Sequence, residues 1–595
     1  MSGRAITDSA VSVYSDKRIV GRRITFGAFV VVTIMVLLAL AAYALSAGGF
    51  GIADALLLLC FGLTMPWSVI GFWNAAIGFI IMRFVRDPVA TVLPAVAHLR
   101  GDEKISASTA ITIFVRNEPP DRVIRNLDAM MREIETAGSA DRFHLYILSD
   151  TSQPEIAALE ETGFATLAAQ WHGRMPVTYR RRTVNTAFKA GNFWDFCERW
   201  GGRHEFAVTL DTDSFMTAAA IMRMVRVIEA DPKLGILQGL VVGLPSTSAF
   251  ARIFQFGMRL GMRSWTIGSA WWQADCGPYW GHNAVIRIAP FVAHCHIPKL
   301  PDGVLGGHVL SHDQIEAALM RRAGSDVRVL PEEDLGWEEN PPTLIEFIRR
   351  DQRWCQGTLQ YSHFLFMSGM KLVSRFQLAF AMLMFLGSPA WIGLLVVGTL
   401  AVAASPTPAD FIRPDAGQAL LAIILVMWFA PKIATVIDVL TRPELRRAFG
   451  GTARFLVSVA TETVFFILLS PIMWICHTLF LAGLPFGRVI GWIGQVRHDH
   501  TVPWLLSLHQ LWPHTALGLA SLGLIAATHP AAFFYAFLLA GGPALSIPLA
   551  VFTAWPTVGR WLTRIGIGRL PEETAPPVAL TALALPAVTA AGRPA

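Results

Sequence analysis

The sequence predicts an α/β domain with a Rossmann-like mixed sheet, combined with an α-helical domain that crosses a membrane several times. Hydrophobic residues make up 53% of the 595 residues and charged residues only 15%, whereas soluble domains carry about a quarter charged residues. Long uncharged runs stand near both ends of the chain. Between them, from about residue 90 to 370, charge returns and short β-like runs alternate with helical stretches, which is typical of a mostly parallel sheet.

The N-terminal part predicts two membrane helices within residues 24–83. Ile24 to Leu45 carries no charge and is long enough to cross a bilayer. A second uncharged run, Ala55 to Met82, ends just before two arginines. Basic residues favour the cytoplasmic side, so we expect residues 1–23 to form a cytoplasmic tail. The basic residues that flank the two runs are Lys17, Arg18, Arg22, Arg23, Arg83 and Arg86.

The C-terminal part, residues 376–555, contains five more apolar runs. We predict crossings near 376–404, 418–440, 455–483, 512–528 and 531–553. Basic residues around 442–454, 488–497 and 560–569 mark cytoplasmic segments. Two cytoplasmic ends require an even number of crossings, so one of the seven runs is split or one end lies on the other side. We expect residues 556–595, rich in Ala and Pro near the end, to form a disordered cytoplasmic tail.

Charge and cysteine content argue against two other classes of protein. The net charge of +6 and the pI of about 9.1 are compatible with nucleic-acid binding, but the basic residues cluster beside apolar runs, where they anchor membrane topology. We therefore expect no nucleic-acid partner. The six cysteines include no Cys-x-x-Cys pair, so neither a structural zinc site nor a disulfide framework is expected.

The strongest local signal for chemistry is a β-like run, Phe206 to Leu210, followed by Asp211-Thr212-Asp213. Ligands of open α/β sheets bind at the carboxyl ends of the strands, and alternate residues of an extended segment point the same way. Asp211 and Asp213 are therefore candidate ligands of Mg²⁺ or Mn²⁺, which favour oxygen donors and bridge phosphates. The alternative is a loop with two solvated aspartates.

Further polar residues follow other β-like runs of the central region. Glu118 and Asp150 come after the runs Thr109–Val115 and Phe143–Ser149, and both would reach the same edge of the sheet. The alternative for each is a strand-end turn or a helix cap. Downstream, Lys189-Ala190-Gly191-Asn192 places a positive charge beside a flexible backbone, which suits a diphosphate; the alternative is a solvated surface lysine.

Two later segments supply a candidate base and a candidate sugar platform. Asp313 precedes the helical stretch Gln314–Arg322 and could take a proton from an attacking hydroxyl. A helix-capping role is the alternative for Asp313, and His312 competes for the role of base. Residues 346–375 predict interfacial amphipathic helices, in which Trp354 could stack on a sugar while Gln352 and Arg353 bind hydroxyls and phosphates. The alternative is a plain membrane-interface anchor.

Taken in order, these motifs resemble the family 2 processive glycosyltransferases, which include cellulose and hyaluronan synthases. The resemblance covers roughly residues 105–360 and implies a cytoplasmic GT-A-like domain over residues 90–345. Three stretches look more closely like the glucosyltransferases of osmoregulated periplasmic glucan synthesis: Gly277–Ala284, Leu310–Asp313 and Asp351–Gly357. The stretches Gln495–Asp499 and Thr501–Trp504 look like a loop between late membrane helices of that subfamily.

Two departures from the general family pattern bear on the product. Arg350 stands at the first position of the Gln-x-x-Arg-Trp motif, and Ser311-His312-Asp313 stands where the family has Thr-Glu-Asp. Only the aspartate of the second motif carries over. Both departures argue against a cellulose or hyaluronan synthase.

The resemblance implies a role for each matching residue. Glu118 and Asp150 would hold uridine, and Lys189 and Asn192 would lie near uracil or diphosphate. Asp211 would contact ribose or metal, Asp213 would bind the metal, and Asp313 would be the base. Acceptor and diphosphate sites would be formed by the following residues: Trp280, Gly281, His282, Gln352, Arg353 and Trp354.

These roles amount to an inverting, processive glucosyltransferase of the bacterial inner membrane. By resemblance it would use UDP-glucose to build a β-1,2-glucan backbone and pass the glucan outward. Its partners would be the growing glucan, the lipid bilayer, a periplasmic glucan-processing protein and an acyl carrier protein. The alternatives are another family 2 polysaccharide synthase, a transferase that makes a single-sugar lipid, and an inactive membrane transporter or scaffold.

Overall fold

The computed structural model describes residues 3–490, 497–577 and 580–581. The chain begins with two long helices, α1 (Gly3–Leu45) and α2 (Ile52–Phe84), followed by the short α3 (Pro88–Val92). The apolar span within α1 is Lys17–Leu45. Helix α1 therefore starts well before Ile24, where the uncharged run begins, because the polar residues upstream also have helix-compatible side chains.

The central domain is built on a seven-stranded mixed sheet with the order β3-β2-β1-β4-β8-β6-β9. All strands run parallel except β8, which is antiparallel to both of its neighbours. A small second sheet has the order β5-β10-β7. The strands are β1 (Thr109–Val115), β2 (Phe143–Ser149), β3 (Val177–Arg181), β4 (Phe206–Asp211), β5 (Ser214–Phe215), β6 (Leu234–Gly239), β7 (Val241–Gly243), β8 (Ala284–Arg287), β9 (Asp326–Leu330) and β10 (Gly336–Glu338).

Helices cover both faces of the large sheet, as the alternating pattern predicts. Val123 of α4, Phe164 of α5 and Ile221 of α7 pack into one core, and α6, α9 and α10 contribute to the core on the opposite face. The helices of this domain are α4 (Pro120–Thr136), α5 (Pro154–Gln170), α6 (Phe188–Trp200), α7 (Ala218–Ala230), α8 (Ala249–Gln273), α9 (Ile288–His294) and α10 (Asp313–Arg322). The predicted α/β architecture with a mixed sheet is confirmed.

Helix α8 joins the α/β domain to the membrane helices. A methyl group added to Gly78 of α2 would lie 1.8 Å from the carbonyl oxygen of Ser264, and one added to Gly268 of α8 would lie 1.8 Å from that of Asn74. The two helices therefore pack backbone against backbone, which only glycine at both positions allows. The indole of Trp272 also donates to Asn74 Oδ1 at 2.9 Å, so the contact is fixed in register.

The C-terminal half is helical and largely apolar. In the described residues as a whole, six helical spans are long and apolar enough to cross a membrane, or seven if the pair α19 and α20, bent by 57°, counts as one span. Four of the six lie in this half, and one of these, Leu372–Ala404, comprises both α12 and α13. The run near 455–483 is one continuous helix despite Pro471. The helices are α11 (Leu344–Leu359), α12 (Leu372–Leu386), α13 (Ser388–Ala404), α14 (Pro408–Phe411), α15 (Pro414–Thr441), α16 (Pro443–Ala448), α17 (Thr452–Gly483), α18 (Trp504–Thr528), α19 (Phe533–Ala544), α20 (Ser546–Thr553) and α21 (Pro556–Ile565).

The chain beyond residue 556 departs from the predicted disordered tail. Helix α21 and a 3-10 turn at Pro571–Glu573 pack against α8, and Leu570 is buried. Glu572 Oε1 lies 2.9 Å from Arg259 Nη1, and Glu573 Oε2 lies 3.0 Å from Arg252 Nη2. The prediction is therefore wrong for residues 556–577, because buried arginines of α8 hold these carboxylates. Residues 578–579 and 582–595 lie outside the described part of the chain.

Candidate active site

The carboxyl ends of β1, β2 and β4 open into one cavity of about 520 Å³. Parallel pairing aligns these ends, with Val115 opposite Ser149 and Phe114 opposite Asp211. Helices α6, α10 and α11 close the other sides. The predicted site residues that line the cavity are Glu118, Asp150, Lys189, Asn192, Asp211, Asp213, Trp280, His282, Asp313, Arg353 and Trp354.

The two aspartates after β4 each face a cation. Asp211 forms an ion pair with Lys189, and Asp213 Oδ2 lies 3.3 Å from Arg497 Nη2. The same guanidinium lies 3.1 Å from Glu118 Oε1. Burial alone would raise the pKa of Asp213, but Arg497 and His282 outweigh it and lower the pKa. A carboxylate held ionised in this way is suited to binding a divalent cation.

The donor set fits a hard cation that completes its shell with substrate oxygens. Among residues 3–490, 497–577 and 580–581, no three His, Cys, Asp or Glu side chains form a ready-made metal cage. Mg²⁺ is commonly held by one or two carboxylates together with water and substrate phosphates. Asp211 and Asp213 supply such a pair, and Lys189 and Arg497 place positive charge beside them.

Asp150 is held by an arginine and does not cap the following helix. Arg182 donates from Nε to Asp150 Oδ1 at 2.7 Å and from Nη2 to Oδ2 at 2.6 Å. Just before α5, Asn117 Oδ1 accepts from the backbone N–H groups of Ser152 and Gln153 at 2.9 and 3.0 Å, and the N-cap residue of α5, Gln153, has no side-chain cap. Asn117 adopts a left-handed conformation with φ 58, which asparagine tolerates better than most residues. The capping alternative for Asp150 does not hold.

Lys189 and Asn192 lie on the first turns of α6 but in different settings. Lys189 is mostly buried, and its ammonium lies 5.0 Å from the ring centre of Phe114, so it is not a solvated surface lysine. Asn192 is 1% exposed. Its amide donates to the carbonyl of Leu148 at 3.1 Å, and its Oδ1 accepts from Arg180 at 2.7 Å. Asn192 therefore ties α6 to β2, which leaves Lys189 as the charged group facing the cavity.

Asp313 begins α10 without capping it. His312 is the N-cap residue, and no side chain caps this helix terminus. A methyl group added to Gly281, which has φ +83, would lie 3.2 Å from Cγ and Oδ1 of Asp313. The segment Trp280–His282 therefore passes directly against the carboxylate, and only glycine leaves it room. This arrangement brings the predicted base beside the predicted acceptor segment.

His312 is engaged elsewhere. Its Nδ1 lies 2.8 Å from Oε2 of the buried Glu316, and its Nε2 lies 3.5 Å from Asp313 Oδ1. Burial alone would lower the pKa of His312, but Glu316 and Asp313 outweigh it and raise the pKa. A histidine that holds its proton more tightly is a poorer base, so the geometry favours Asp313 over His312.

A buried glutamine, which the sequence analysis missed, shapes the acceptor segment. Gln238 of β6 accepts from the backbone N–H of Trp280 at 2.8 Å and donates to the carbonyl of His282 at 3.0 Å. His282 Nδ1 lies 2.7 Å from Ser214 Oγ, and its Nε2 lies 3.5 Å from Glu338 Oε2. Burial raises the pKa of Glu338. No local pattern identifies Gln238 or Glu338, because both reach the site only through strand pairing.

The face of α11 that lines the cavity differs from the predicted set Gln352, Arg353 and Trp354. Arg350, Arg353 and Trp354 line the cavity, but Gln352 does not. Positions i, i+3 and i+4 of a helix share one face, and Gln352 falls outside that set. Arg350 Cζ lies 4.5 Å from the ring centre of Trp354, and its Nη2 donates to Asn340 Oδ1 at 3.0 Å. Helical periodicity is the signal that selects Arg350.

A second cavity of about 750 Å³ lies among the membrane helices and shares Met258 and Met384 with the first. Trp391 and Trp474 in its wall stack with ring centres 4.4 Å apart. The wall also contains the buried ion pair of Lys432 and Glu462, with Nζ–Oε1 2.7 Å. Asp438 pairs with Arg442 at 3.0 Å. Lys432, Asp438 and Glu462 are all buried and face the protein interior.

Comparison with known proteins places this site in a family. The model of "Glycosyl transferase family group 2" matches residues 206–437. Glucans biosynthesis glucosyltransferase H of Shewanella oneidensis is 34% identical over 558 residues, covering 89% of this chain and 74% of that protein. The protein of the same name from Pseudomonas putida is 33% identical over 543 residues, covering 88% of this chain and 63% of that protein. The chain belongs to the glucans biosynthesis glucosyltransferase H family.

The family model covers the part of the site from β4 onwards. The residues it matches include Asp211, Asp213, Asp313 and Trp354 as well as helices α12, α13 and most of α15. The α/β domain is thus GT-A-like, as the resemblance implied. Among solved structures, mannosyltransferase PcManGT from Pyrobaculum calidifontis in complex with GDP-Man and Mn²⁺ has a TM-score of 0.36 and 17% identity, covering 62% of this chain and 98% of that chain. That likeness is too slight to bear on the ligands of this chain.

Proposed function

We propose that this protein is an inverting, processive glucosyltransferase of the bacterial inner membrane that takes glucose from UDP-glucose. It builds the β-1,2-linked backbone of a periplasmic glucan and passes it across the membrane. The observation that carries the proposal is one cavity that brings together the carboxylates of Asp211, Asp213 and Asp313 with Trp354, and that borders an aromatic cavity within the membrane helices. The relatives' printed names, which describe a glucosyltransferase of glucan biosynthesis, support it.

On the donor side, the chain would bind the nucleotide along the carboxyl edge of the sheet. Glu118 and Asp150 would contact uridine, with Arg182 fixing the orientation of Asp150. Lys189 would turn from Asp211 towards the diphosphate once Asp211 engages the metal. A divalent cation held by Asp211 and Asp213 would act as a Lewis acid that neutralises charge on the leaving diphosphate.

On the acceptor side, the terminal sugar of the glucan would stack on Trp354, beside Trp280 and His282. Asp313 would accept the proton of the attacking hydroxyl as the new bond to the anomeric carbon forms. The bond from that carbon to the diphosphate oxygen breaks, and UDP departs with the bonding electron pair. Attack from the face opposite the diphosphate inverts the anomeric configuration, so an α-linked donor yields a β-linked product.

Of the basic residues that line the cavity, Lys189, Arg353 and Arg497 are the three that we expect to contact the diphosphate. Arg497 bridges Glu118 and Asp213, and burial together with Arg350 lowers the pKa of Arg353 to about 10. Arg353 therefore remains charged at neutral pH. The three groups surround the edge of the sheet and would hold the leaving UDP in place until the glycosidic bond has formed.

Product analysis tests the proposal. Membranes containing the full chain are supplied with UDP-glucose and Mg²⁺, and the glycan is analysed for length and linkage by methylation and mass spectrometry. The expected result is a β-1,2-glucan and release of UDP. A β-1,4-linked product would instead indicate a cellulose-like synthase, a single-sugar lipid would indicate a non-processive transferase, and no UDP release from any nucleotide sugar would indicate an inactive scaffold or transporter.

A further inference from the structure

Two arginines meet at the base of α17 without a protein partner. A methyl group added to Gly566 would lie 3.2 Å from Cδ and 3.5 Å from Nε of Arg454, and 3.8 Å from Cζ of Arg569. The two side chains are also neighbours around Gly450. Among the described residues neither guanidinium has a hydrogen-bond or ion-pair partner, and Nε of Arg569 is buried and unsatisfied. Two like charges held together in this way favour an anion between them.

The backbone around the two arginines fixes their position. The N–H of Gly568 donates to Ser458 Oγ at 2.9 Å, and that hydroxyl donates to the carbonyl of Arg454 at 2.7 Å. Ser458 is 3% exposed. The segment that follows α21 is thereby bound to the first turns of α17. The two arginines are therefore held close together by the packing of α17 against the segment that follows α21.

The acids near this place are already engaged. Glu573 pairs with Arg252 at 3.0 Å, and Asp438 pairs with Arg442 at 3.0 Å. The first turn of α17 contains no acidic residue, and its N-cap Gly451 provides no side-chain cap. Unsatisfied N–H groups at a helix start add positive potential. Among the described residues, no carboxylate forms an ion pair with Arg454 or Arg569.

The neighbouring surface has the character of a membrane interface. Trp561 of α21 is 54% exposed, and Trp555, the N-cap residue of this helix, is 36% exposed. Arg560 and Arg564 of α21 are exposed as well. Tryptophan and arginine side by side are typical of a helix lying among lipid headgroups. Because α17 starts here and α21 packs on α8, the place lies on the same side of the membrane as the α/β domain.

We infer that Arg454 and Arg569 form a binding site for the phosphate group of an anionic phospholipid. The ligand chemistry is a phosphate oxyanion received by two guanidinium groups at the start of α17. The exposed tryptophans of α21 favour a lipid over free phosphate as its source. The site is separate from the sugar-transfer cavity, and its occupation would fasten the C-terminal segment onto α8 and α17.

Lipid binding to the detergent-purified full chain tests the site. Phosphatidylglycerol or phosphatidylcholine is added, and retained lipid is measured by native mass spectrometry alongside the melting temperature. We expect phosphatidylglycerol, but not phosphatidylcholine, to be retained and to raise the melting temperature. Arg454→Gln and Arg569→Gln should each lower phosphatidylglycerol affinity about fivefold, whereas Arg132→Gln on α4 removes the same charge without effect.

Three outcomes would overturn the inference. If Arg560→Gln lowers affinity as much as Arg454→Gln, the attraction is diffuse and no site exists. If inorganic phosphate alone reproduces the full stabilisation, the lipid is not the ligand. If Arg454→Gln and Arg569→Gln bind phosphatidylglycerol as tightly as the wild type, with unchanged melting temperatures without lipid, the two arginines do not form the site. Arg454→Lys and Arg569→Lys keep the charge and serve as folding controls.

Discussion

Asp313 lies where three demands on a general base meet. It lines the cavity, it lies against Gly281 of the proposed acceptor segment, and it has a neighbouring histidine that is itself bound to Glu316. The carboxylate is not consumed as a helix cap. These contacts make the proton-transfer role testable with single substitutions, because the donor-binding residues lie on other elements.

Asp313→Asn should lower chain elongation by about 10²- to 10⁴-fold, the usual contribution of a positioned base. UDP-glucose binding, measured by calorimetry, should be unchanged because the donor residues are untouched. His312→Gln is the matched control and should retain most of the activity. A larger loss in His312→Gln than in Asp313→Asn would transfer the base role to the histidine.

Asp213→Asn should lower the rate of UDP release by about a hundredfold or more, because the cation contributes several kcal/mol of charge stabilisation in the transition state. Chelation of the wild-type protein should have the same effect, and added Mg²⁺ or Mn²⁺ should restore only the wild type. Asp302→Asn, in an exposed loop with the side chain 93% exposed, is the control. Full turnover in excess chelator would contradict a metal role for Asp211 and Asp213.

At the scale of elements, α10 contains a pH-sensitive pair. Burial raises the pKa of Glu316 above its ordinary 4.5, while Glu316 and Asp313 raise that of His312 above its ordinary 6.5 despite burial. In both cases the folded state binds protons more tightly than the unfolded chain. The contribution of the pair to stability is therefore present at low pH and is lost as pH rises.

We expect the melting temperature of the purified protein to fall as pH rises from 6.5 through the raised folded pKa of His312. In His312→Gln, which removes one titrating group, the decline above pH 6.5 should be shallower. Differential scanning fluorimetry in one detergent at constant ionic strength measures both. The prediction is wrong if the melting temperature of the wild type rises with pH over this range while that of the variant does not.

In α11, helical periodicity determines which side chains line the cavity and which contact the membrane helices. Its cavity-facing side carries Arg350, Arg353 and Trp354, and its opposite side is anchored by Asp351, which bonds to His477 of α17. His477 in turn lies 2.9 Å from Ser388 Oγ. The interfacial helix is thus tied to two membrane helices, and its sugar-facing side is held at the boundary between the two cavities.

Trp354→Ala should cripple elongation while UDP-glucose binding is retained, because an indole face suits the apolar face of a sugar ring. Gln352→Ala should have little effect, because Gln352 lies two residues before Trp354 in α11 and does not line the cavity. Glycan length distribution and donor affinity are the two measurements. Equal losses in both variants would show that α11 is disturbed as a whole, and lost donor binding in Trp354→Ala alone would place the tryptophan in the donor site.

At the scale of the whole molecule, the two cavities meet beside Met258 and Met384. The cavity at the carboxyl edge of the sheet contains the charged candidate residues, and the cavity among the membrane helices is lined by Trp391, Trp428 and Trp474. Such a wall offers stacking surfaces to sugar rings. Lys432 and Glu462 place charge in this apolar wall, where ionisable residues are expensive and often mark a path for polar cargo.

Glu462→Gln should impair passage of long glucan more than sugar transfer to a short soluble acceptor. Because it leaves Lys432 unpaired, it is expected to lower stability as well, by about 3–5 kcal/mol. The double variant Lys432→Met with Glu462→Leu removes both charges and serves as the control for stability. If the double variant melts like the wild type and exports glucan normally, the ion pair has no part in passage.

By itself, the sequence determined the alternation of strands and helices, the apolar runs and the local motifs. β1 and β2 begin and end at the predicted residues, and the runs near 418–440 and 455–483 are single helices, because hydrophobic periodicity is a local property of the chain. The grouping of Glu118, Asp150 and Asp211 could also be predicted, since the ends of adjacent parallel strands share one edge of the sheet.

Only the tertiary structure decided which neighbours those motifs acquire. Arg497 reaches Asp213 from a loop 284 positions further along the chain, and Gln238 and Glu338 enter the acceptor side through strand pairing. The C-terminal segment is ordered because Arg252 and Arg259 of α8 bind its two glutamates. Such contacts depend on the packing of remote elements, and no local pattern encodes them.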